Sequence, residues 1–273
     1  MKETSALLPS IWSPTSIRTI AFKCIYGIAP FVLGFSSLFL TWHILSSYLV
    51  QSVLFPGPLE VAVKGAELLI DGTLGGHIAA SLYRIFAGFL IGSAIGIPIG
   101  LAMGSFSIVR RILEPWTDFL RFIPSVAMIT IAVIWFGIGE ESKVFLIVYT
   151  TIFVVILNSC AGVAAISKNK IRAAQALGAS RYQIFLLVAL PATVPFILTG
   201  MRLAMANSFV TVVAAELISA DQGLGVMLWN GRLFMLVDEI FVALVTLGLL
   251  GFATDRLFRF ATNRFAGQYA PIS

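Results

Sequence analysis

Long apolar stretches separated by short polar segments run through the whole chain. A membrane-spanning helix needs about 20 predominantly apolar residues, because the hydrocarbon layer of a bilayer is about 30 Å thick. Six stretches reach that length, so the pattern predicts an all-α, polytopic membrane protein with six transmembrane helices. The predicted spans are 21–49, 80–103, 116–136, 144–166, 192–218 and 236–258.

The connectors between these spans are short, which leaves no room for a separate soluble domain. The pattern therefore predicts one transmembrane domain over 21–260, with a polar amino-terminal segment over 1–20 and a tail over 261–273. The longest inner connector lies at about 167–190.

Composition also indicates a protein whose outer surface faces lipid. Of 273 residues, 59% are hydrophobic and only 11% are charged, whereas a soluble domain has about 25% charged residues. This excludes disorder, nucleic-acid binding and a secreted disulfide scaffold. The two cysteines, Cys24 and Cys160, lie in apolar runs with no C-x-x-C pair, so neither a metal centre nor redox chemistry is expected.

Charge distribution predicts the orientation. Membrane proteins carry an excess of Lys and Arg on their cytoplasmic loops. With the amino terminus placed inside, thirteen Lys and Arg residues fall on inner segments and four on outer ones. The outer four are Lys64, Arg84, Lys143 and Arg232. Both termini are therefore expected to be cytoplasmic.

Glycine recurs at every fourth residue of the second predicted span, so one face of the helix carries no side chains; we call this its bare face. These residues are Gly88, Gly92, Gly96, Gly100 and Gly104. Small residues at this spacing let two membrane helices approach closely, so we expect a packing seam. A ligand path along the same glycines is the alternative.

The long inner connector divides at Gly178. Residues 171–177 are rich in alanine and favour a helix. Gly178 can adopt the left-handed conformation that ends a helix, and Ser180 can cap the next one. We predict a short helix, a sharp turn and a second helix over 182–190 that Pro191 closes. An ordinary positively charged connector is the alternative.

This connector resembles the "EAA" loop of ATP-binding-cassette (ABC) importer permeases, E-A-A-x3-G-x9-I-x-L-P. The matching residues are Ala173, Ala174, Gly178, Leu190 and Pro191, with Val188 in place of the isoleucine. Arg172 stands where the family has glutamate, which reverses the charge at that position.

Two further stretches are similar to the permease subfamily for nitrate, taurine, aliphatic sulfonates and bicarbonate. One begins at RFIP over 121–124 and continues into WFGIGEESK over 135–143. The other is VAAELI over 213–218, followed by GLG over 223–225. The resemblance covers about 55–259 and is carried by the combination of motifs.

The resemblance implies a type I ABC importer permease in the bacterial inner membrane. Its partners would be two ATPase subunits that bind ATP and Mg, a second permease copy that forms a homodimer with this chain, an extracytoplasmic substrate-binding protein and membrane lipid. The chain itself has no G-x4-G-K-[ST] phosphate loop, so we expect a transport subunit with no catalytic residues, metal or cofactor of its own. The residues expected to couple it to the ATPase are Arg172, Ala173, Ala174, Leu177, Gly178, Ala179 and Ser180.

Polar side chains inside the predicted spans are costly in lipid and should face the bundle interior. They are candidates for the translocation pathway, and interhelical hydrogen bonds are the alternative role for each. These residues are Thr130, Asn158, Asn207, Ser208 and Glu216. Glu216 lies close to the outer end, where we expect it to reach water. Arg202 is expected to be structural, and attraction of an anion is the alternative.

Two other functions compete with the importer permease: an ion-coupled secondary transporter and a purely structural membrane protein. The subfamily resemblance favours a small oxyanion such as nitrate or a taurine-like sulfonate as substrate. A neutral vitamin precursor is the alternative within the same family.

Overall fold

The computed structural model describes residues 30–50 and 54–266, and within those ranges all regular secondary structure is helical. Cys24 and the predicted terminal segment over 1–20 lie outside the described residues. The helices are α1 (Pro30–Tyr48), α2 (Pro58–Ile70), α3 (Thr73–Ser105), α4 (Ser107–Leu120), α5 (Ile129–Phe136), α6 (Glu140–Ala164), α7 (Lys168–Ala176), α8 (Arg181–Ile184), α9 (Leu190–Ser219), α10 (Leu224–Leu233) and α11 (Val237–Ala266).

The chain divides into two units, Met1–Ala62 and Val63–Ser273. In the first unit, α1 is an apolar helix whose last turn becomes π-helical over Leu45–Val50. The indole of Trp42 donates a hydrogen bond to the carbonyl of Pro56 at 3.1 Å.

The glycine seam forms the centre of the second unit, as predicted. The bare face of α3 packs against α6 along its whole length. A Cβ atom added at Gly88 would lie 2.5 Å from the side chain of Ile147, and one at Gly100 would lie 2.6 Å from the carbonyl oxygen of Ile156. Because real Cβ atoms do not approach that closely, only glycine allows these two helices to pack at this distance.

A buried apolar cluster joins this pair to α9. Its fully enclosed members include Ile85, Ile147, Val155, Ala204 and Val212. Helices α3, α6 and α9 therefore share one core, and α10 and α11 pack against α9.

The third predicted span is wrong as a continuous helix. Helix α4 ends at Leu120, irregular turns follow, and α5 is only eight residues long. Pro124 explains the break, because proline lacks an amide hydrogen and disfavours helical geometry at the residue before it. Gly137 then ends α5 with a φ of 77°. The described residues thus contain five helices long and apolar enough to cross a membrane, where the pattern predicts six.

The predicted helix end at Pro191 is also wrong. Helix α8 continues through a π-helical stretch, Phe185–Ala189, directly into α9. Pro191 lies near the start of α9, where a proline is tolerated because the amide it lacks has no helical partner in the first turn. The result is an apolar segment over Tyr182–Leu217, longer than the predicted span.

Candidate functional site

The turn that follows α7 has the predicted conformation. Gly178 has a φ of 78°. The amide of Gly178 donates to the carbonyl of Gln175 at 2.9 Å, and the amide of Ala179 donates to that of Ala174 at 3.0 Å. This pair of hydrogen bonds is the Schellman motif, which ends a helix at a left-handed residue.

The next helix begins with a reciprocal cap. The side chain of Gln183 accepts a hydrogen bond from the amide of Ser180 at 2.8 Å, and the amide of Gln183 donates to the hydroxyl of Ser180 at 3.3 Å. This capping box satisfies two amides that otherwise have no partner at a helix start. The backbone conformation of the predicted helix–turn–helix is therefore confirmed.

None of the side chains of α7 is buried. Leu177, at the end of the helix, is 89% exposed. Ala174 and Ala179 are partly covered, whereas Arg172, Ala173, Gly178 and Ser180 are exposed. A helix of nine residues has little stability of its own in water, so this surface is suited to contact with another protein.

A buried polar cluster lies at the opposite end of α6, which is 25 residues long and hence roughly 37 Å in length. At its centre is Glu216, which is only 1% exposed. Its carboxylate accepts hydrogen bonds from Ser81 at 2.8 Å, from Arg84 at 2.7 Å and from the amide of Gly225 at 2.8 Å. The expectation that Glu216 reaches water is wrong, because α3 and the start of α10 enclose it.

Arg84 links two acids in this cluster. Its Nε and Nη2 atoms donate to the two carboxylate oxygens of Glu140 at 2.6 and 2.7 Å, while its Nη1 atom reaches Glu216 and the carbonyl of Gln222. Lys143 also donates to Glu140, at 3.1 Å. Two cations thus face two anions, so the four side chains balance in charge. Because Arg84, Lys143 and Glu216 are buried and Glu140 is partly exposed, this pairing spares the three buried groups the large penalty of an isolated buried charge.

The close packing of this cluster explains the glycines of the 223–225 motif. Gly223 has a φ of 142°, and a Cβ atom there would collide with the carboxylate of Glu216. The amide of Gly223 donates to Nδ1 of His77 at 2.9 Å, and the next amide, of Leu224, donates to Ser81 at 2.9 Å. His77 is therefore structural.

The residue pattern along the chain does not predict this cluster as a unit. Arg84 was an available signal, since an arginine within an apolar helix needs a partner. Glu140 and Lys143 lie in the WFGIGEESK motif and Glu216 in the VAAELI motif, but nothing in either motif indicates that they meet.

The five predicted pathway residues do not form one site. Ser208 is fully buried, donates to the carbonyl of Ala204 at 2.9 Å and lies 3.2 Å from the hydroxyl of Thr151. Asn158 is partly buried and donates to the carbonyl of Val154 at 2.8 Å. In contrast, Thr130 and Asn207 are exposed. Among the described residues, no group of three or more His, Cys, Asp or Glu side chains could hold a metal ion.

Residues 92–267 match the family described as "Binding-protein-dependent transport system inner membrane component". This range includes α6, the α7 turn and Glu216. The chain belongs to this family. It is a multi-pass inner-membrane permease subunit of an ABC importer, and the resemblance found in the EAA-type loop is confirmed.

Named relatives agree with this assignment. A probable ABC transporter permease of Brucella melitensis is 41% identical over 82% of this chain and 90% of its own length. The taurine transport system permease TauC of Escherichia coli is 39% identical over 85% of this chain and 86% of its own. The nitrate import permease NrtB of Leptolyngbya laminosa is 31% identical, covering 92% and 93%.

The fold agrees as well. A chain of the MetNI methionine ABC transporter, solved in an inward-facing form, superposes with a TM-score of 0.61. The match covers 75% of this chain and 99% of the solved chain at 20% sequence identity. The type I ABC permease fold is therefore confirmed, although one predicted span is broken.

Proposed function

We propose that this permease imports a small oxyanion, of the nitrate or taurine-like sulfonate class, using ATP hydrolysed by two separate ATPase subunits. Relatives named for taurine and nitrate support the substrate class. The observation that carries the coupling mechanism is the exposed α7 helix with its Schellman turn at Gly178, the place where the chain matches the EAA pattern.

In this mechanism α7 sits in a groove of the ATPase. Ala173 and Ala174 have small side chains that allow close approach, and Leu177 offers an exposed apolar contact. Arg172 replaces the glutamate of the family pattern, so we expect an acidic or neutral group opposite it on the ATPase. ATP and Mg are bound by that partner.

Closure of the ATPases on ATP would move α7, and α8 would carry the movement into α9, because the helix is continuous from Arg181 onward. The inward- and outward-facing states must differ by only a few kcal/mol for nucleotide to shift their populations. The glycine seam between α3 and α6 would let these helices move as one body.

We further propose that a second copy of the chain completes the pathway. Thr130 and Asn207 are exposed polar residues within apolar helices, and such groups avoid lipid. We assign them to the pathway, while Ser208 and Glu216 hydrogen-bond to neighbouring helices and Asn158 packs against Gly200 of α9. Since those pathway groups are uncharged, selectivity for the anion would lie mainly in the extracytoplasmic binding protein. The α7 end and both termini would be cytoplasmic.

Replacing Gly178 by leucine tests the coupling role. Leucine at a left-handed position is strained by about 1–2 kcal/mol, so the turn and the orientation of α7 should change. We expect normal amounts of protein in the membrane, at least a tenfold loss of uptake, and ATP hydrolysis that the loaded binding protein no longer stimulates.

Gly72 provides a matched control. It also has a positive φ, of 84°, and a Cβ atom there meets nothing within 4 Å, as at Gly178. Gly72→Leu should keep uptake and stimulated hydrolysis. Unchanged uptake in Gly178→Leu, or equal losses in both variants, would contradict the coupling role.

Substrate class needs a separate measurement. The uptake of labelled nitrate, taurine or an aliphatic sulfonate into proteoliposomes should be detected when the cognate binding protein is added. Uptake of a labelled neutral pyrimidine precursor alone would show that the substrate is a vitamin precursor and would leave the importer mechanism in place.

A further inference from the structure

A groove runs between α9 and α11 on the outside of the second unit. Its volume is about 230 Å³. Most of the lining is apolar, and three positions have small or no side chains, Ala206, Gly248 and Gly251. The larger apolar residues of the lining are Met205, Phe209, Leu247, Phe252 and Phe258.

Charged groups lie at one end of this groove: Arg202 and Asp255 belong to its lining, and Arg259 lies one helical turn beyond Asp255 on α11. Arg202 donates to the two carboxylate oxygens of Asp255 at 2.5 and 3.1 Å, which agrees with the expected structural role of this arginine. Arg259 approaches the same carboxylate at 3.2 Å. Two guanidinium groups therefore share one carboxylate, which leaves an excess of one positive charge, and all three side chains are between 33% and 48% exposed.

The charged end and the apolar part lie at different depths. Helix α9 leaves the α7 end of the bundle and α11 returns to it, so Arg259 lies towards the α7 end. Gly248 precedes Arg259 by eleven positions, or about 16 Å along a helix. The groove therefore leads from a cationic mouth towards the middle of α11, a helix long and apolar enough to cross a membrane.

We propose that this groove binds an anionic phospholipid from the leaflet on the α7 side. The phosphate would contact Arg259 and the guanidinium hydrogens of Arg202 that Asp255 does not use. One acyl chain would lie along Gly251 and Gly248. The argument is charge complementarity at the right depth, since basic pockets between membrane helices bind anionic headgroups and an uncharged occupant would leave the excess cation unpaired.

Native mass spectrometry of the purified full-length chain, with the subunits that copurify, tests the proposal. Phosphatidylglycerol and phosphatidylcholine are the two probes. We expect phosphatidylglycerol to bind more tightly by about fivefold, the equivalent of one arginine at the membrane surface. Arg259→Gln should remove that preference. Gly248→Leu, whose Cβ atom would have no other atom within 4 Å, places a bulky side chain in the groove and should weaken binding of both lipids.

Two controls match these variants. Arg110 is 50% exposed and pairs with Glu114 four residues away, much as Arg259 pairs with Asp255. Gly34 also has open space around its Cβ position. Arg110→Gln and Gly34→Leu should bind phosphatidylglycerol as the wild type does.

Three results would overturn the proposal. One is equal affinity for the two lipids in the wild type. Another is an equal loss of phosphatidylglycerol in Arg110→Gln, which would indicate only general surface charge. The third is efficient cross-linking between two chains through cysteine at Gly248 (Gly248→Cys), because a second copy of the protein would then occupy the groove.

Discussion

The two ends of α6 differ in how their charged residues are used. At the Glu140 end, the chain pairs its charges internally, and Arg84, Lys143 and Glu216 are almost completely buried. Past Ala164, the short helix α7 carries exposed cations and an exposed leucine and buries nothing. At the Glu140 end the charges find their partners within a single chain, whereas α7 presents an exposed surface of the kind that a partner protein covers.

The difference predicts that one end of α6 governs the stability of the fold and the other end governs coupling to the ATPase. Breaking a buried ion pair leaves an uncompensated charge and is strongly destabilising, while exposed pairs contribute little. Substitutions at the Glu140 end should therefore reduce the amount of folded protein. Substitutions at α7 should leave the fold intact and change the interaction with the ATPase.

Glu216→Ala is expected to have the largest effect on stability. It removes one partner of buried Arg84 together with the acceptor for Ser81 and Gly225, and losing one partner of a buried pair costs about 3–5 kcal/mol. The apparent melting temperature in detergent should fall sharply. Glu114→Ala, which breaks the exposed pair with Arg110, is the control and should melt close to the wild type. Equal melting of the two variants would show that the cluster does not hold the fold.

Gly100→Ala should come next, because the added methyl group would meet the backbone of α6 at Ile156. Overpacking of this kind costs about 1–3 kcal/mol. The measurement is again thermal melting of the detergent-solubilised protein. Gly34→Ala, with nothing within 4 Å of the new Cβ, should be neutral or slightly stabilising, so a similar loss there would argue against close packing as the cause.

Ser180→Ala is expected to have the smallest effect on the fold. It removes the cap of α8, and such a change costs about 0.5–2 kcal/mol of helix stability. Because the α7–α8 turn has few buried contacts, the loss should remain local. Hydrogen–deuterium exchange should increase around the turn while the melting temperature of the whole protein stays the same. A large drop in melting temperature would mean that the turn belongs to the core.

Local rules account for what could be predicted. The spacing of five glycines predicts a helix face that allows close approach, and the structure places α6 against it. Gly178 and Ser180 predict the turn and the cap because both depend on residues within one or two helical turns. Pro124 was also a local signal, but the apolar residues on both sides of it suggested a continuous span.

Contacts between distant segments could not be predicted in the same way. Arg84 and Glu216 are 132 residues apart in the chain, and Arg202 and Asp255 are 53 apart. Whether such pairs meet depends on the rotation and depth of each helix in the bundle, which small differences in packing decide. A charged residue in an apolar helix predicts that a partner exists but not which residue it is.

The amino-acid sequence alone determined that this is a helical membrane protein, which face of α3 packs closely, and where the exposed turn after α7 lies. Each of these follows from hydropathy, residue size or backbone conformation within one segment. Tertiary structure decided that Glu216 is sealed within an ion-pair cluster and that α9 and α11 enclose a groove with a cationic mouth. Those features need several helices in a particular register, and the register is set by the packing of the whole bundle.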